Sequence, residues 1–194
     1  MYRYVFIVVF SFFNCFVILS QNNKKITTEK FDIKTFEKNK IDGEYNFVLD
    51  DGTKIRQSST EIDYGEFVIP PPPQLFITSK QYFKTGELQA LLILYPNDFI
   101  KLKKVYDKDG KLVEETNFDI PYKFSFEQLL ELIKNEKDKI DLFDRNTSIT
   151  RGVLDEGPIW EITYKKVFMR RELIKVNGIT GEILERSHYS HLDN

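Results

Sequence analysis

Two short stretches of the chain share one pattern, YFKTGEL at 82–88 and YDKDGKLV at 106–113. In both, a tyrosine is followed by polar residues, a glycine and then a leucine, and Gly86 and Gly110 stand 24 residues apart. Glycine after polar residues is typical of a tight turn, because glycine adopts positive φ at no steric cost. Aromatic and branched residues on both sides favour strands. The pattern therefore predicts two β-hairpins of one repeated design.

The repeated hairpins lie inside a longer run of strand signals. The segment LQALLILY at 88–95 is densely apolar but too short between turn signals to favour a helix. Pro96-Asn97-Asp98 after it favours a chain reversal. We expect an antiparallel meander whose strands lie near residues 80–84, 87–95, 99–106 and 111–118. The residues expected to pack this sheet beside its turns are Tyr82, Leu88, Tyr106 and Leu112.

The segment before the repeats predicts one short helix and further strands. At 31–40, Asp32 is placed to cap the first helical turn, and Phe31 and Phe36 have the spacing of a hydrophobic staple. The sequence GEYNFVLDDGTKIRQ at 43–57 then alternates apolar and polar residues around an Asp-Gly turn, which is typical of a β-hairpin. Another strand is expected to end at four consecutive prolines, which donate no ladder hydrogen bonds.

The C-terminal third combines one amphipathic helix with strands. The helix signal covers 124–139, where Ser125 and Gln128 form a capping box and apolar residues recur at helical spacing. After a connector, the pattern favours four strands, at 149–154, 159–164, 167–176 and 182–189. The residues expected to form the turn before the last strand are Asn177, Gly178 and Gly181. A helix packed on an antiparallel sheet, after an antiparallel meander, predicts the α+β class.

The first 20 residues, MYRYVFIVVFSFFNCFVILS, combine one basic residue, an apolar run and a polar exit, which is typical of a secretory signal peptide. An uncleaved N-terminal anchor is the alternative, because the run approaches the length of a spanning helix. The predicted division is a signal peptide at 1–20, the short helix and meander at 21–120, and the helix with its antiparallel sheet at 121–194. The expected location is the periplasm or cell envelope of a Gram-negative bacterium, with membrane contact only through an uncleaved N-terminal segment.

Composition and motifs favour binding over catalysis. The charge is nearly balanced, with 28 basic and 30 acidic residues, so no concentrated basic face is expected for nucleic acid. The chain has no G-x-S-x-G elbow, no phosphate loop and no H-E-x-x-H motif. Its two histidines, His188 and His191, lie in a tail that offers no preorganised ligand set. We predict no enzyme activity, no cofactor and no metal site, and the sequence assigns no partner-binding residue.

Beyond these patterns, the chain resembles two known kinds of module. YFKTGELQ and YDKDGKLVEETNF are similar to the MORN-variant repeat of bacterial toxin–antitoxin-type proteins. The segments WEITY at 160–164 and IKVNGITGEI at 174–183, after a capped helix, resemble PepSY-type domains, with Asn177 where aspartate is commoner. PepSY-type domains are exported and non-catalytic, and some are considered to bind or restrain peptidases. The order of all these motifs is similar to that of small exported proteins of Bacteroidota.

The resemblance implies a non-catalytic exported binding protein, and two hypotheses follow from it. In the first, the chain is a periplasmic immunity protein that binds and neutralises a polymorphic toxin. In the second, it is a PepSY-like regulator or an envelope structural protein, with a peptidase or an envelope component as its partner. Both hypotheses give the chain a protein partner and no nucleic acid.

Overall fold

The computed structural model describes residues 25–96 and 98–191, so the predicted signal peptide at 1–20 lies outside the described residues. Within these two ranges, no helix is long and apolar enough to cross a membrane. The helices are α1 (Ile33–Asn39) and α2 (Phe126–Lys134). The strands are β1 (Glu44–Val48), β2 (Lys54–Ser59), β3 (Asp63–Ile69), β4 (Ile77–Phe83), β5 (Leu88–Tyr95), β6 (Phe99–Tyr106), β7 (Leu112–Asn117), β8 (Ser148–Leu154), β9 (Gly157–Val167), β10 (Arg170–Asn177) and β11 (Ile183–Ser190).

In the described part of the chain, the strands form two antiparallel sheets. The first is a seven-stranded meander in the order β1 to β7, and the second has four strands in the order β11-β10-β9-β8. The predicted antiparallel meander is confirmed. The strands upstream of the repeats, β1 to β3, belong to the same sheet. Two short helices combined with antiparallel sheets, counted over the same residues, fit the predicted α+β class.

Both helices begin where the sequence predicts. The Asp32 carboxylate accepts a hydrogen bond of 3.0 Å from the Thr35 backbone N–H, and the Phe31 and Phe36 ring centres lie 5.3 Å apart. At the start of α2, the Ser125 backbone N–H donates to the Gln128 side chain at 2.8 Å, and the Gln128 backbone N–H donates back to the Ser125 hydroxyl at 3.3 Å. The predicted cap and the predicted capping box are therefore both present.

Several predicted boundaries are wrong, and two of them have a clear local cause. The helix predicted to reach residue 139 ends at Lys134, because Asn135 turns the chain and its side-chain amide donates 2.8 Å to the Glu131 carbonyl. The strand predicted to begin at 167 begins at Arg170, since β9 and β10 are joined by a two-residue turn at Phe168-Met169. The alternating pattern continues through this turn without a glycine or proline, and Met169 itself adopts a φ of 56°.

The two repeats fold in the same way. Gly86 donates its N–H to Phe83 O at 2.8 Å, and Gly110 donates its N–H to Asp107 O at 3.0 Å. Both glycines have positive φ, 96° and 76°. In each repeat the strand register also shifts immediately before the tyrosine, between Gln81 and Tyr82 and again between Val105 and Tyr106. Residues 24 positions apart therefore occupy equivalent places in the β4–β5 and β6–β7 hairpins.

Residues 25–31, which we call the N-terminal strap, cross both repeat turns through main-chain hydrogen bonds. Thr27 N donates to Gly110 O at 2.8 Å, and Phe31 N donates to Gly86 O at 2.8 Å. In the opposite direction, Leu112 N donates to Lys25 O at 3.0 Å and Leu88 N to Glu29 O at 3.4 Å. The glycine and the leucine of each repeat therefore bind the strap with the same pair of backbone groups.

The strap covers a small aromatic core. Phe31 stacks on Tyr64 with ring centres 4.6 Å apart, and α1 adds Phe36. Tyr82 lies beside them, paired with Tyr64 on one side and with Leu88 on the other. The partly buried Tyr106 packs against this core. The buried Tyr82 hydroxyl donates 2.9 Å to Glu29 of the strap. Burial and the Glu66 charge raise the pKa of Tyr82, so this hydroxyl stays a donor.

A larger core lies at the other end of the first sheet. It contains Tyr95 and Phe99 from that sheet together with buried residues of α2 and of the second sheet. The buried members from α2 are Phe126, Leu129 and Ile133, and those from the second sheet are Ile149, Trp160, Ile162, Tyr164, Ile174 and Val176. Residues on both sides of position 120 therefore contribute to one hydrophobic core.

We predict that Gly110→Ala destabilises the protein by about 2 kcal/mol. The substitution places a β-carbon at positive φ, and that carbon would lie far inside van der Waals contact of the Thr27 carbonyl oxygen. The measurement is urea unfolding followed by circular dichroism. Gly43→Ala is the matched control, because Gly43 also has positive φ, 83°, and a β-carbon there has no neighbour within 4 Å. Equal losses in the two variants would contradict the contact between the strap and the repeat.

Candidate functional site

The turn and repeat residues predicted from the sequence lie in two separate places in the fold. Tyr82 and Leu88 belong to the aromatic core under the strap, with Tyr106 packed against it. Asn177, by contrast, closes the turn between β10 and β11, where its side-chain oxygen accepts from Ile179 N at 2.8 Å and from Thr180 N at 3.0 Å. Gly178 and Gly181 in this turn lie against Tyr122 and Phe124. Both sets of residues shape turns, and they belong to different hydrophobic clusters.

A groove of about 530 Å³ opens between the first sheet and the connector before β8, and we call it the junction groove. Three irregular segments form its walls: the proline loop after β3, the reversal between β5 and β6, and the connector itself. Its lining residues are Gly52, Lys54, Ile69, Pro70, Pro71, Pro72, Gln74, Leu75, Ile77, Tyr95, Pro96, Asp98, Leu142, Phe143, Asp144, Arg145, Thr147 and Ser148. The volume is typical of protein sites that bind small molecules or single side chains.

Asp98 ties the reversal to the second sheet at the floor of this groove. Its carboxylate accepts a hydrogen bond of 2.7 Å from the Ser148 hydroxyl and one of 3.3 Å from the Ile149 backbone N–H. Ile149 is the second residue of β8, so one side chain joins the two sheets. Next to it, burial and the Asp98 charge raise the pKa of Tyr95 to about 12, which keeps that hydroxyl protonated at neutral pH.

Arg151 makes a second connection behind the groove. Its guanidinium donates 2.6 Å to Asp119 and also donates to the Ile100 carbonyl of β6. The guanidinium carbon lies 4.5 Å from the ring centre of Phe99 and 5.7 Å from that of Trp160. The electrostatic attraction of the ring quadrupoles stabilises a planar cation between aromatic faces. At the same time, its N–H groups donate hydrogen bonds to the oxygen atoms at its edge. Arg151 therefore joins β8 to β6 with both polar and apolar contacts.

The junction groove has an apolar interior and charges of both signs among its lining. Ile69, Ile77, Leu75 and the proline rings supply the apolar part, while Lys54, Asp98, Asp144 and Arg145 supply the charges. Among the residues that the structure describes, no group of three or more histidine, cysteine, aspartate or glutamate side chains is arranged to hold a metal ion. The apolar part of the groove is suited to hold apolar side chains, and its charged side chains are suited to contact polar groups.

The sequence does not predict the contacts that join the two sheets at this groove. It places Asp98 in a reversal and Arg151 in a strand, and it gives no sign of which distant oxygen or ring each one contacts. The only local signal for each of them is chemical type, since a charged residue next to apolar strand residues needs partners if it becomes buried. Comparison of the chain with protein-family models, with curated proteins and with solved structures finds no match.

We predict that the Asp98 carboxyl titrates above the ordinary value of 3.8, because burial raises its pKa more than the bonds from Ser148 and Ile149 lower it. A carboxyl whose pKa is higher in the folded than in the unfolded state stabilises the fold at pH values below the unfolded-state pKa. This contribution to the free energy of unfolding is lost as pH rises through the folded-state pKa. Carbon NMR of the Asp98 carboxyl measures the midpoint of its titration directly.

Asp98→Asn keeps an oxygen acceptor and cannot ionise. The free energy of unfolding of this variant relative to wild type should therefore rise across the same pH interval. Asp155→Asn, in an exposed turn, is the control, and a midpoint at or below 3.8 would contradict the burial of Asp98.

We also predict that Arg151→Leu costs about 3 kcal/mol of unfolding free energy, because it leaves the Ile100 carbonyl without the guanidinium donor and Asp119 with the longer Lys101 ion pair at 3.6 Å. Arg151→Lys should be intermediate, since a single ammonium keeps the charge but not the planar contact with the rings. Urea unfolding measures both variants, and Arg56→Leu on the exposed side of β2 is the control. If Arg151→Leu costs no more than Arg56→Leu, the connection between the sheets does not depend on the guanidinium.

Proposed function

We propose that this protein is a non-catalytic, exported binding protein that holds an extended segment of a protein partner in the junction groove. The observation that carries the proposal is the make-up of that groove, in which loops from both sheets surround an apolar interior with charges of both signs. An extended segment presents apolar side chains and polar backbone groups together, which suits such a lining. The signal-like N-terminus supports export.

The walls of the groove favour binding without extensive rearrangement. Pro70, Pro71 and Pro72 fix much of one wall, because the proline ring restricts φ. On the opposite side, the connector carries Phe143, whose side chain is 53% exposed. A rigid wall lowers the entropy lost on binding, and an exposed aromatic ring at a groove is typical of an anchor residue. Phe143 is therefore the side chain on which we expect partner binding to depend most.

The partner we propose is a polymorphic toxin, which makes the chain an immunity protein. Support comes from the resemblance of the stretches at Tyr82 and Tyr106 to antitoxin-type repeats, and both stretches lie in hairpins of the same design. As part of the same proposal, β4 to β7 are MORN-like hairpins, and α2 with the second sheet is a PepSY-like unit. The shared buried cluster of Leu129 and Trp160 supports packing of α2 on that sheet. A peptidase or an envelope component as the partner is the alternative, and the experiment below separates the two.

We predict that a photo-cross-linking amino acid at position 143 captures the partner in living cells, whereas the same residue at position 62 does not. Ile62 is a suitable control because it is 79% exposed in the turn between β2 and β3, away from the groove. Mass spectrometry identifies the partner, and calorimetry then measures its affinity for purified variants. Phe143→Asp should weaken binding by about tenfold or more, as expected for an anchor residue, while Ile62→Asp should leave it unchanged.

The identity and activity of the captured protein decide between the two roles. If it is toxic when expressed in the periplasm, this protein should restore growth and Phe143→Asp should restore less. If it is a peptidase, this protein should change its rate of cleavage, which favours the regulator. Capture from position 62 alone, or unchanged affinity in Phe143→Asp, would refute the groove as the binding site.

A further inference from the structure

The turn between β9 and β10 exposes three consecutive apolar side chains. Val167 is 52% exposed, Phe168 71% and Met169 42%. Single exposed apolar residues are ordinary, but three in sequence at the end of a projecting hairpin form a patch. Together with Lys165, Lys166 and Arg170 around them, these residues form what we call the hairpin tip.

Three basic side chains flank the apolar part of the hairpin tip. Lys165 places its ammonium 5.6 Å from the centre of the Phe168 ring. Lys166 pairs with Asp138 at 2.9 Å and Arg170 with Glu172 at 2.7 Å. In both pairs the cation is the more exposed member, 49% against 29% and 43% against 15%. The cation is therefore the outer member of both pairs, so basic groups lie at the surface around the tip.

The hairpin tip is held in an ordered conformation. Val167 and Arg170 are strand partners on either side of the two-residue turn. The Met169 carbonyl oxygen also accepts a hydrogen bond of 3.0 Å from His191 N, which fixes the turn from the C-terminal side. Phe168 is thus presented outward by a formed hairpin, so little conformational entropy is lost when the tip makes a contact.

We propose that the hairpin tip inserts into the headgroup region of a membrane that contains anionic phospholipid. An exposed phenylalanine beside lysine and arginine matches the two components of that region, since the ring enters the boundary of the acyl chains and the cations meet lipid phosphates. A protein partner fits less well, because a specific interface buries roughly 800 Å² on each side, more than a convex turn of this size offers. The proposal concerns a different surface from the junction groove and does not depend on it.

Tryptophan fluorescence of the full chain tests this insertion. Phe168→Trp adds a reporter at the tip, and Ile62→Trp adds one to a comparably exposed turn that is flanked by Glu61 and Asp63 rather than by basic residues. The native Trp160 is buried and gives the same background in both variants. With vesicles in which a third of the phosphatidylcholine is replaced by phosphatidylglycerol, we expect a blue shift for Phe168→Trp alone. With phosphatidylcholine alone, or at high salt, the shift should largely disappear.

Sedimentation with the same anionic vesicles supplies the second measurement. Phe168→Asp should lower partitioning by about tenfold relative to Ile62→Asp. Both variants keep the same N-terminal segment, so a difference between them reports the hairpin tip. Thermal unfolding should be unchanged, because Phe168 lies outside the core. An equal shift for both tryptophans, equal partitioning of the two aspartate variants, or a Phe168→Asp effect confined to binding of a protein partner would overturn the proposal.

Discussion

One buried side chain, Arg151, contributes both polar and apolar contacts between the two sheets, alongside Asp98 and the shared hydrophobic core. The Arg151 guanidinium lies against Phe99 and Trp160, and its N–H groups reach the Ile100 carbonyl and Asp119. Such a group is stable in an apolar environment only when its donors are satisfied, so the surrounding backbone has little freedom to move. β8 must therefore lie beside the start of β6, where Ile100 is the second residue.

The opposite end of the first sheet is held by a different kind of interaction. The N-terminal strap binds both repeats mainly through main-chain groups, at Gly86 and Gly110, and each glycine leaves room for it to approach. Main-chain bonding needs a particular backbone shape rather than particular side chains. The repeated tyrosine, glycine and leucine therefore serve one purpose twice, which is to form a hairpin end with a free backbone acceptor and donor facing the strap.

The sequence was informative where structure follows from local chemistry. The caps at Asp32 and Ser125 and the turn glycines act within a few residues, so the pattern located the two helix starts and the meander. It failed where the determining partner is distant. The hydrogen bonds that hold the strap across the two repeat turns are main-chain, so side-chain type does not indicate them, and the partners of Asp98 and Arg151 are 50 and 51 residues away in the chain.

The two proposed surfaces differ in how binding would affect the rest of the fold. The junction groove is walled by irregular segments whose spacing depends on Asp98 and Arg151, so a ligand there contacts the elements that hold the sheets together. Binding at this place is therefore linked to global stability. The hairpin tip is held by its own strand pairing and by His191, so contact at Phe168 leaves the junction unchanged. It follows that one molecule can meet a membrane through the tip and a protein through the groove without competition between them.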